Sequence, residues 1–413
     1  MKKNERATAA GGLWTRDFLL IWQGAAESQI GSVLYSVGIG VWVYAHTNSA
    51  GLMGLMTAIS YLGALVLQPL GGVLADRYSK RAMIVGSDAV CGAVMLGLGV
   101  LAWQGRMQVW QVLGVAAVSA VCSSVLNPAV NSLLPRVVGD SALMQASALL
   151  NGSLNALRMI GNAAGGFFVA LFGVPALILF NGLTFLFSAA TECFIRAGGR
   201  PDPAGDTARP AGGPLRDLGE GVAYLRRMPG LLRIVLAGAA VNLTCGGFSG
   251  IVYVWCLEKG MTVPQYGLFL GAESGAMLAG MLLMGLCPPP PRRRWAALLA
   301  TVAVQSVFYI GAMAAQGFWL CTGLYAVNAL CNAVSNSFMY PAVTASCEPA
   351  YLGRVLALFN ALCAGGVAVS MLCYGPLADR FGAGPVCLGG AVVTVVPYLV
   401  FALDRDMRRL LEQ

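Results

Sequence analysis

The chain is 413 residues long, 57% hydrophobic and only 11% charged. Soluble domains carry about 25% charged residues, so this chain cannot cover itself for water, and its solvent has to be a lipid bilayer. Its net charge of +8 excludes little by itself, but the cations sit in loops between apolar runs rather than in a patch, which argues against nucleic acid.

The chain opens on a polar stretch, MKKNERATAAGG, with no apolar core directly behind it. It reads as a cytoplasmic tail rather than a signal peptide. Apolar runs long enough to cross a bilayer follow at about 17–44, 51–75, 82–103, 108–132, 148–172, 175–196, 231–256, 264–286, 295–315, 318–341, 354–377 and 384–404. The fold class is therefore all-α integral membrane, with twelve transmembrane helices. The loops at His46, Gln104-Gly-Arg106, Gly173-Val-Pro175 and Gln316-Gly317 are short and make one side of the threading. Of the 26 Lys and Arg, all but Arg106, Arg158, Lys259 and Arg380 fall at the other side. The positive-inside rule places that side, with both termini, in the cytoplasm.

One connection is long. Residues 197–230 begin with Pro, Gly and Asp, the composition of a flexible linker. They end with Leu215, Leu218, Val222 and Leu225 at helical spacing beside Arg216, Arg226 and Arg227, as in an amphipathic helix on the cytoplasmic face. The expected organisation is a six-helix bundle over 1–196, this linker over 197–230, and a second six-helix bundle over 231–413.

The two bundles repeat each other. Pro128-Ala-Val returns as Pro341-Ala-Val, and at the same offset Trp42 returns as Trp255, Gly54-Leu55 as Gly267-Leu268, Gly72 as Gly285, and Lys80-Arg81 as Arg293-Arg294. A slightly shorter offset relates Ala148-Leu-Leu-Asn151 to Ala357-Leu-Phe-Asn360 and Phe172-Gly173 to Phe381-Gly382. A duplicated six-helix unit with one small deletion explains both offsets, and the two bundles should be pseudo-symmetric. In the second copy of the loop after Gly72, Pro289 stands where the first has Asp76, within a stiff run of four prolines.

That loop carries the most specific motif. Gly72-Val-Leu-Ala-Asp76-Arg77-Tyr-Ser-Lys80-Arg81 places an acid and three cations between the second and third spans. A glycine one turn before Asp76 lets a neighbouring helix approach, and Asp76 can face the positive N-terminus of another helix. The run resembles the loop signature of the major facilitator superfamily, Gly-x-x-x-Asp-Arg-x-Gly-Arg-Arg, with Ser79 where the family has glycine. By that resemblance Gly72, Asp76, Arg77, Lys80 and Arg81 form a gating loop, joined by Asp88. Glu192 is expected to pair with Arg196 one turn on.

Polar residues at membrane depth mark the expected site. A midspan charge costs about 2.5–3.5 kcal/mol, so Glu27, Arg158 and Glu273 each need a wet cavity or a partner. Asn151, Asn155, Arg158 and Asn162 share one face of the fifth span, and Asn328, Asn332 and Asn336 share one face of the tenth. Ser119, Ser123 and Asn127 repeat the rhythm in the fourth, and Gln23 lies one turn before Glu27. The resemblance implies a central cavity lined by these helices, with the fifth and eighth spans meeting across the two bundles so that Arg158 and Glu273 could pair. Gly161, Gly165 and Gly166 resemble the glycine-rich fifth-helix signature of superfamily antiporters, with Asn162 in place of its proline. WVYAHTNS, LLPRVV, DLGEGVAYLRR and YLGRVLALFN, in that order, resemble the macrolide-efflux-like branch of multidrug exporters.

The expected function is proton-coupled efflux of a hydrophobic or amphipathic small molecule by alternating access. Glu27 and Glu273 carry protons, and Gln23, Arg158 and the asparagines meet the substrate. The alternatives are a transporter that binds an anionic substrate (a lysolipid, siderophore or peptide) through Arg158, and a membrane sensor that transports nothing. An enzyme or ATP-driven pump is disfavoured, because the chain has no GxxxxGK[ST] and no His/Cys constellation. A single His46 and twelve scattered cysteines without a CxxC pair give no metal site and no disulfide framework, and no cofactor is expected. The partners are a small molecule, protons and the bilayer of a bacterial cytoplasmic membrane, with no nucleic acid and the protein acting as a monomer.

Overall fold

The structure, a computed structural model, describes residues 13–139, 141–197, 214–345 and 347–402. Side chains at 68–77 lie outside that description, and with them the predicted loop residues Gly72, Asp76 and Arg77. So does the first half of the predicted linker.

Among the described residues every regular element is helical. They are α1 (Arg16–Thr47), α2 (Ala50–Arg77), α3 (Lys80–Trp103), α4 (Val109–Val138), α5 (Leu143–Glu192), α6 (Pro214–Arg227), α7 (Pro229–Cys245), α8 (Phe248–Glu258), α9 (Val263–Leu286), α10 (Pro291–Ala314), α11 (Phe318–Ala345), α12 (Pro349–Phe381) and α13 (Ala383–Ala402). Three features reconcile these with twelve spans, the first being that α6, only 14 residues long, is not a crossing. The long α5 is two crossings joined at Gly173, whose φ of 75° and ψ of 164° turn the chain where the sequence predicts a loop. The seventh crossing is split into α7 and α8 at Gly246-Gly247, a break that apolar content alone does not reveal.

That break is held by α12. Tyr374 packs against the bare face of Gly247 and donates to Thr244 O, while Gly247 N donates to Ser370 Oγ at 2.8 Å. Backbone groups freed within a membrane must find such partners. Side chains likewise fix where crossings begin: Thr262 and Gln265 form a reciprocal capping box at the start of α9, with Pro264 between them in the first turn.

The ends of the bundle differ. One end, here the basic end, carries Lys80, Arg81, Arg226, Arg227, Arg293 and Arg294. The far end carries Asn48, Arg106, Lys259 and Gly317. At the far end a single apolar core draws on both halves of the chain, joining Val37, Met53 and Val174 to Phe248, Trp255 and Tyr266. At the basic end there are two separate cores. One is built from α1, α3 and α4 around Phe18, Ile84 and Leu133, the other from α6, α7, α10, α11 and α12 around Leu225, Ile234 and Val355. Glycines close the far end: Gly51 meets Gly375, Gly54 meets the backbone of Met371, and Gly166 meets Val263 O and Gly267. The halves are thus sealed together at the far end and packed separately at the basic end.

The predicted amphipathic helix is α6, and the described part of its apolar side, Val222 and Leu225, packs on protein. Tyr224 and Leu225 are buried against the start of α12, where Tyr224 stacks on Tyr351 at 4.4 Å and Glu220 pairs with Arg354 at 3.1 Å.

Candidate functional site

Between the halves lies a cavity of about 930 Å³. Membrane helices expose polar groups to a wet interior more cheaply than to lipid, and the polar stripes of several helices converge here. The lining includes Arg158 and Asn162 from α5, Glu273 from α9, and Asn328, Asn332 and Asn336 from α11. Ser119 and Ser123 of α4 join them.

Asn162 is tied across the halves, donating from Nδ2 to Ser274 Oγ of α9 at 3.0 Å. The α5 glycines explain how two helices approach it at once. Gly161 and Gly165 lie against Val33 and Val37 of α1, and Gly166 against the start of α9. Asn336 donates to Asn332 Oδ1 at 3.0 Å, one turn apart as the spacing predicts. Glu273 accepts a hydrogen bond from the buried Tyr325 hydroxyl at 3.3 Å.

Several predicted residues fall elsewhere. Arg158 and Glu273 line one cavity, together with Tyr61. Among the described residues, however, no ion pair joins them. Gln23 and Glu27 bond to each other, Nε2 to Oε1 at 3.0 Å, away from the cavity wall. Asn151 and Asn155 share the face of Arg158 but lie two turns and one turn nearer the basic end, outside the lining, and Asn151 donates to Ser147 O in its own helix.

Two expectations about acids need correction. Asp88 is not part of the loop. It is 2% exposed, eight residues inside α3, and that distance, about 12 Å along the axis, takes it out of reach of the helix start. Glu192 does not pair with Arg196, because α5 ends at Glu192 and the one-turn geometry ends with it. Glu192 is 3% exposed, whereas the exposed Arg196 lies in the following turn, where its N–H donates to Asp17. Of the loop residues whose side chains are described, Lys80 is buried and the Arg81 guanidinium donates to Cys193 O.

Sequence reasoning missed the aromatic wall. Tyr266, Tyr309, Tyr325 and Phe248 line the cavity, and Phe248 lies 5.2 Å from Tyr325, which lies 4.9 Å from Phe269. The usable signal was tyrosine in the middle of apolar runs, since a phenol buried in a membrane needs a polar neighbour. A pocket with an aromatic wall, an asparagine wall, two carboxyls, Glu273 and Asp88, and one guanidinium can take an amphipathic molecule with a polar or charged head. Among the described residues no group of three or more His, Cys, Asp or Glu could hold a metal ion.

A family model described as the Major Facilitator Superfamily matches residues 24–371. Macrolide efflux protein A of Streptococcus pyogenes is 22% identical over 403 residues, covering 96% of this chain and 98% of that protein. An enterobactin exporter of Citrobacter koseri is 25% identical over 393 residues, covering 91% and 89%. In three dimensions the chain is similar to an auto-inhibited POT family peptide transporter, with a TM-score of 0.73, 14% identity, and coverage of 94% and 96%. A likeness at that identity concerns the fold alone.

Proposed function

The chain belongs to the major facilitator superfamily, and from that premise we propose that it is a non-enzymatic secondary transporter exporting an amphipathic small molecule in exchange for protons. The supporting observation is the placement of Glu273: a carboxyl, bonded to a tyrosine hydroxyl, in the wall of the cavity between the halves. A carboxyl there meets whichever compartment the cavity opens to, so it can load a proton from one side and release it to the other. One proton crossing 100 mV supplies about 2.3 kcal/mol, enough for roughly a 50-fold gradient of a neutral substrate. The similarity to a macrolide efflux protein favours a bulky amphipathic substrate. The proposed site is a bacterial cytoplasmic membrane, with the basic end and both termini inside and the protein acting as a monomer. In that orientation the structure is the state open to the cytoplasm, the one that would collect an export substrate.

The test is transport into everted membrane vesicles, with a panel of macrolides and cationic dyes and an imposed pH gradient. Glu273→Gln should abolish gradient-driven uptake while leaving substrate binding measurable. Full pH-driven uptake by that variant would remove Glu273 from coupling, and no flux of any compound by the wild type would favour a sensor.

A second reading rests on Arg158, an exposed guanidinium in the cavity wall. It would anchor an anionic substrate, a reading to which the similarity to enterobactin exporters lends weight. Arg158→Lys keeps the charge but loses the two-pronged fork. Loss of transport in that variant, with Glu273→Gln still active, selects the anionic substrate.

A further inference from the structure

A second group of acids lies inside the first half of the chain, apart from Glu273. Asp88 of α3 is 2% exposed, Glu192 at the end of α5 is 3% exposed, and Ser188, one turn before Glu192, is fully buried. Asp88 Oδ1, Glu192 Oε2 and Ser188 Oγ have no hydrogen-bond partner. Ser188 lies beside both carboxyl groups. On the α1 side the wall is Gly24, where a Cβ would come within 2.6 Å of Ser188 Oγ and 2.7 Å of Glu192 Oε1. A glycine there leaves room for the Ser188 and Glu192 oxygen atoms.

Among the described residues, no cation is seen beside either carboxyl group. From α1 the facing charged group is Glu27, which adds negative charge beside Glu192. From α4 come Ser119 and Cys122, which cluster with Cys91 next to Asp88. The cations nearest in the chain are Lys80 and Arg81 at the start of α3, two turns from Asp88, and Arg81 donates to Cys193 O. Buried carboxylates without a partner are strongly unfavourable, and an all-oxygen pocket suits a small hard cation. Asp88 also lines the central cavity, which gives such a cation a way in.

We propose that Asp88, Ser188 and Glu192, closed over by Gly24, form a binding site for one monovalent cation, a proton or Na⁺, within the first six spans and separate from Glu273. The bound charge leaves the pair with one negative charge in place of two in the folded protein. The site stands on its own geometry and does not require the transport reading above.

Thermal unfolding of the purified full-length protein in detergent tests this, at acid and alkaline pH, in sodium chloride or choline chloride at equal ionic strength. A folded protein that holds a proton which the unfolded chain releases loses stability as pH rises. The wild type in choline should therefore melt lower at alkaline pH by at least about 3 °C, and Na⁺ should reverse that loss if Na⁺ is the occupant. Asp88→Asn and Glu192→Gln each remove one charge with little change of shape, so each should melt at or above the wild type at alkaline pH and ignore Na⁺. Gly24→Ala, which pushes a methyl group into the pocket at unchanged charge, should lose the Na⁺ response if Na⁺ is the occupant and keep the pH response if a proton is. If one variant fails to fold, the other two still decide. The proposal is overturned if the wild type responds to neither pH nor Na⁺, or if the folded variants melt lower than the wild type by the same amount in every condition.

Discussion

The Asp379 carboxylate near the end of α12 accepts a hydrogen bond from the Ala50 backbone at 2.5 Å, across a separation of 329 residues. It also accepts from Gly51 N at 3.0 Å and from Ser49 Oγ at 2.8 Å. An acid from one half of the chain thus caps the first turn of α2 in the other, where free N–H groups and the helix dipole favour negative charge. Because this contact exists only while the far end is shut, removing it should favour the opposite conformation. An exposed charge at a helix N-terminus contributes about 0.3–1 kcal/mol, so Asp379→Asn should raise the far-end-open population by up to roughly 5-fold. Labels placed at Ala45 and Trp319, both exposed at the far end, would report this as a growing long-distance population. An unchanged distance distribution would show that the cap holds nothing.

The same closure needs bare backbones. A Cβ at Gly375 would lie 2.6 Å from the Gly51 Cα and 2.8 Å from Ala50 O, and backbone atoms cannot swing aside as a side-chain tip can. Gly375→Val should therefore keep α12 from seating on α2 at the far end. The expected outcome is a protein that reaches the membrane and folds, shows the long far-end distance, and loses transport in vesicles. Wild-type flux from that variant would mean that the crossing can shift without consequence.

Much of this arrangement was legible in the sequence, for a definite reason. Twelve crossings follow from apolar length, and the polar faces of α5 and α11 follow from three- and four-residue spacing, because a helix fixes which residues share a side. What a helix does not fix is its neighbour. Arg158 and Glu273 reach one cavity without pairing, and Asp88 lies in the bundle interior because α3 carries it about two turns down. The Asp379 cap also had a signal that direct-repeat comparison misses. Leu74-Ala-Asp-Arg77 at the end of α2 recurs as Leu377-Ala-Asp-Arg380 at the end of α12. These two helices pack together and run in opposite directions, so the repeat is inverted and shares no offset with the others. The break between α7 and α8 was hidden because Gly246-Gly247 lies inside an unbroken apolar run.

The joint within α5 gives a prediction about stability alone. Gly173 adopts φ 75° and ψ 164°, a region open in practice only to glycine, and a side chain there costs about 1–3 kcal/mol. Nothing crowds the position, since a Cβ would meet only the Pro175 Cδ at 3.7 Å, so the cost is purely conformational. Gly173→Ala should lower the melting temperature by several degrees while leaving the substrate affinity of the folded fraction unchanged. Gly152→Ala, in open space within the helical part of α5, should instead be neutral or slightly stabilising, since alanine is the better helix former.

The docking of α6 sets two kinds of contact against each other. The Glu220–Arg354 pair, at 3.1 Å with side chains 39% and 25% exposed, is worth about 0.2–1 kcal/mol in such surroundings and weakens with salt. The Tyr224 ring stacks on Tyr351 with an interplanar angle of 13°, and its hydroxyl accepts from Glu348 N at 3.1 Å. An aromatic pair of this kind adds about 0.5–1.5 kcal/mol beyond the area it buries, and Tyr224 itself is 8% exposed. The stack should therefore dominate. Tyr224→Ala should raise amide hydrogen exchange throughout α6 by roughly 10-fold or more, the change expected for about 1.4 kcal/mol, with Glu220→Gln showing a smaller rise that salt mimics in the wild type. The reverse order of the two variants would mean that charge, not ring packing, holds the helix to α12.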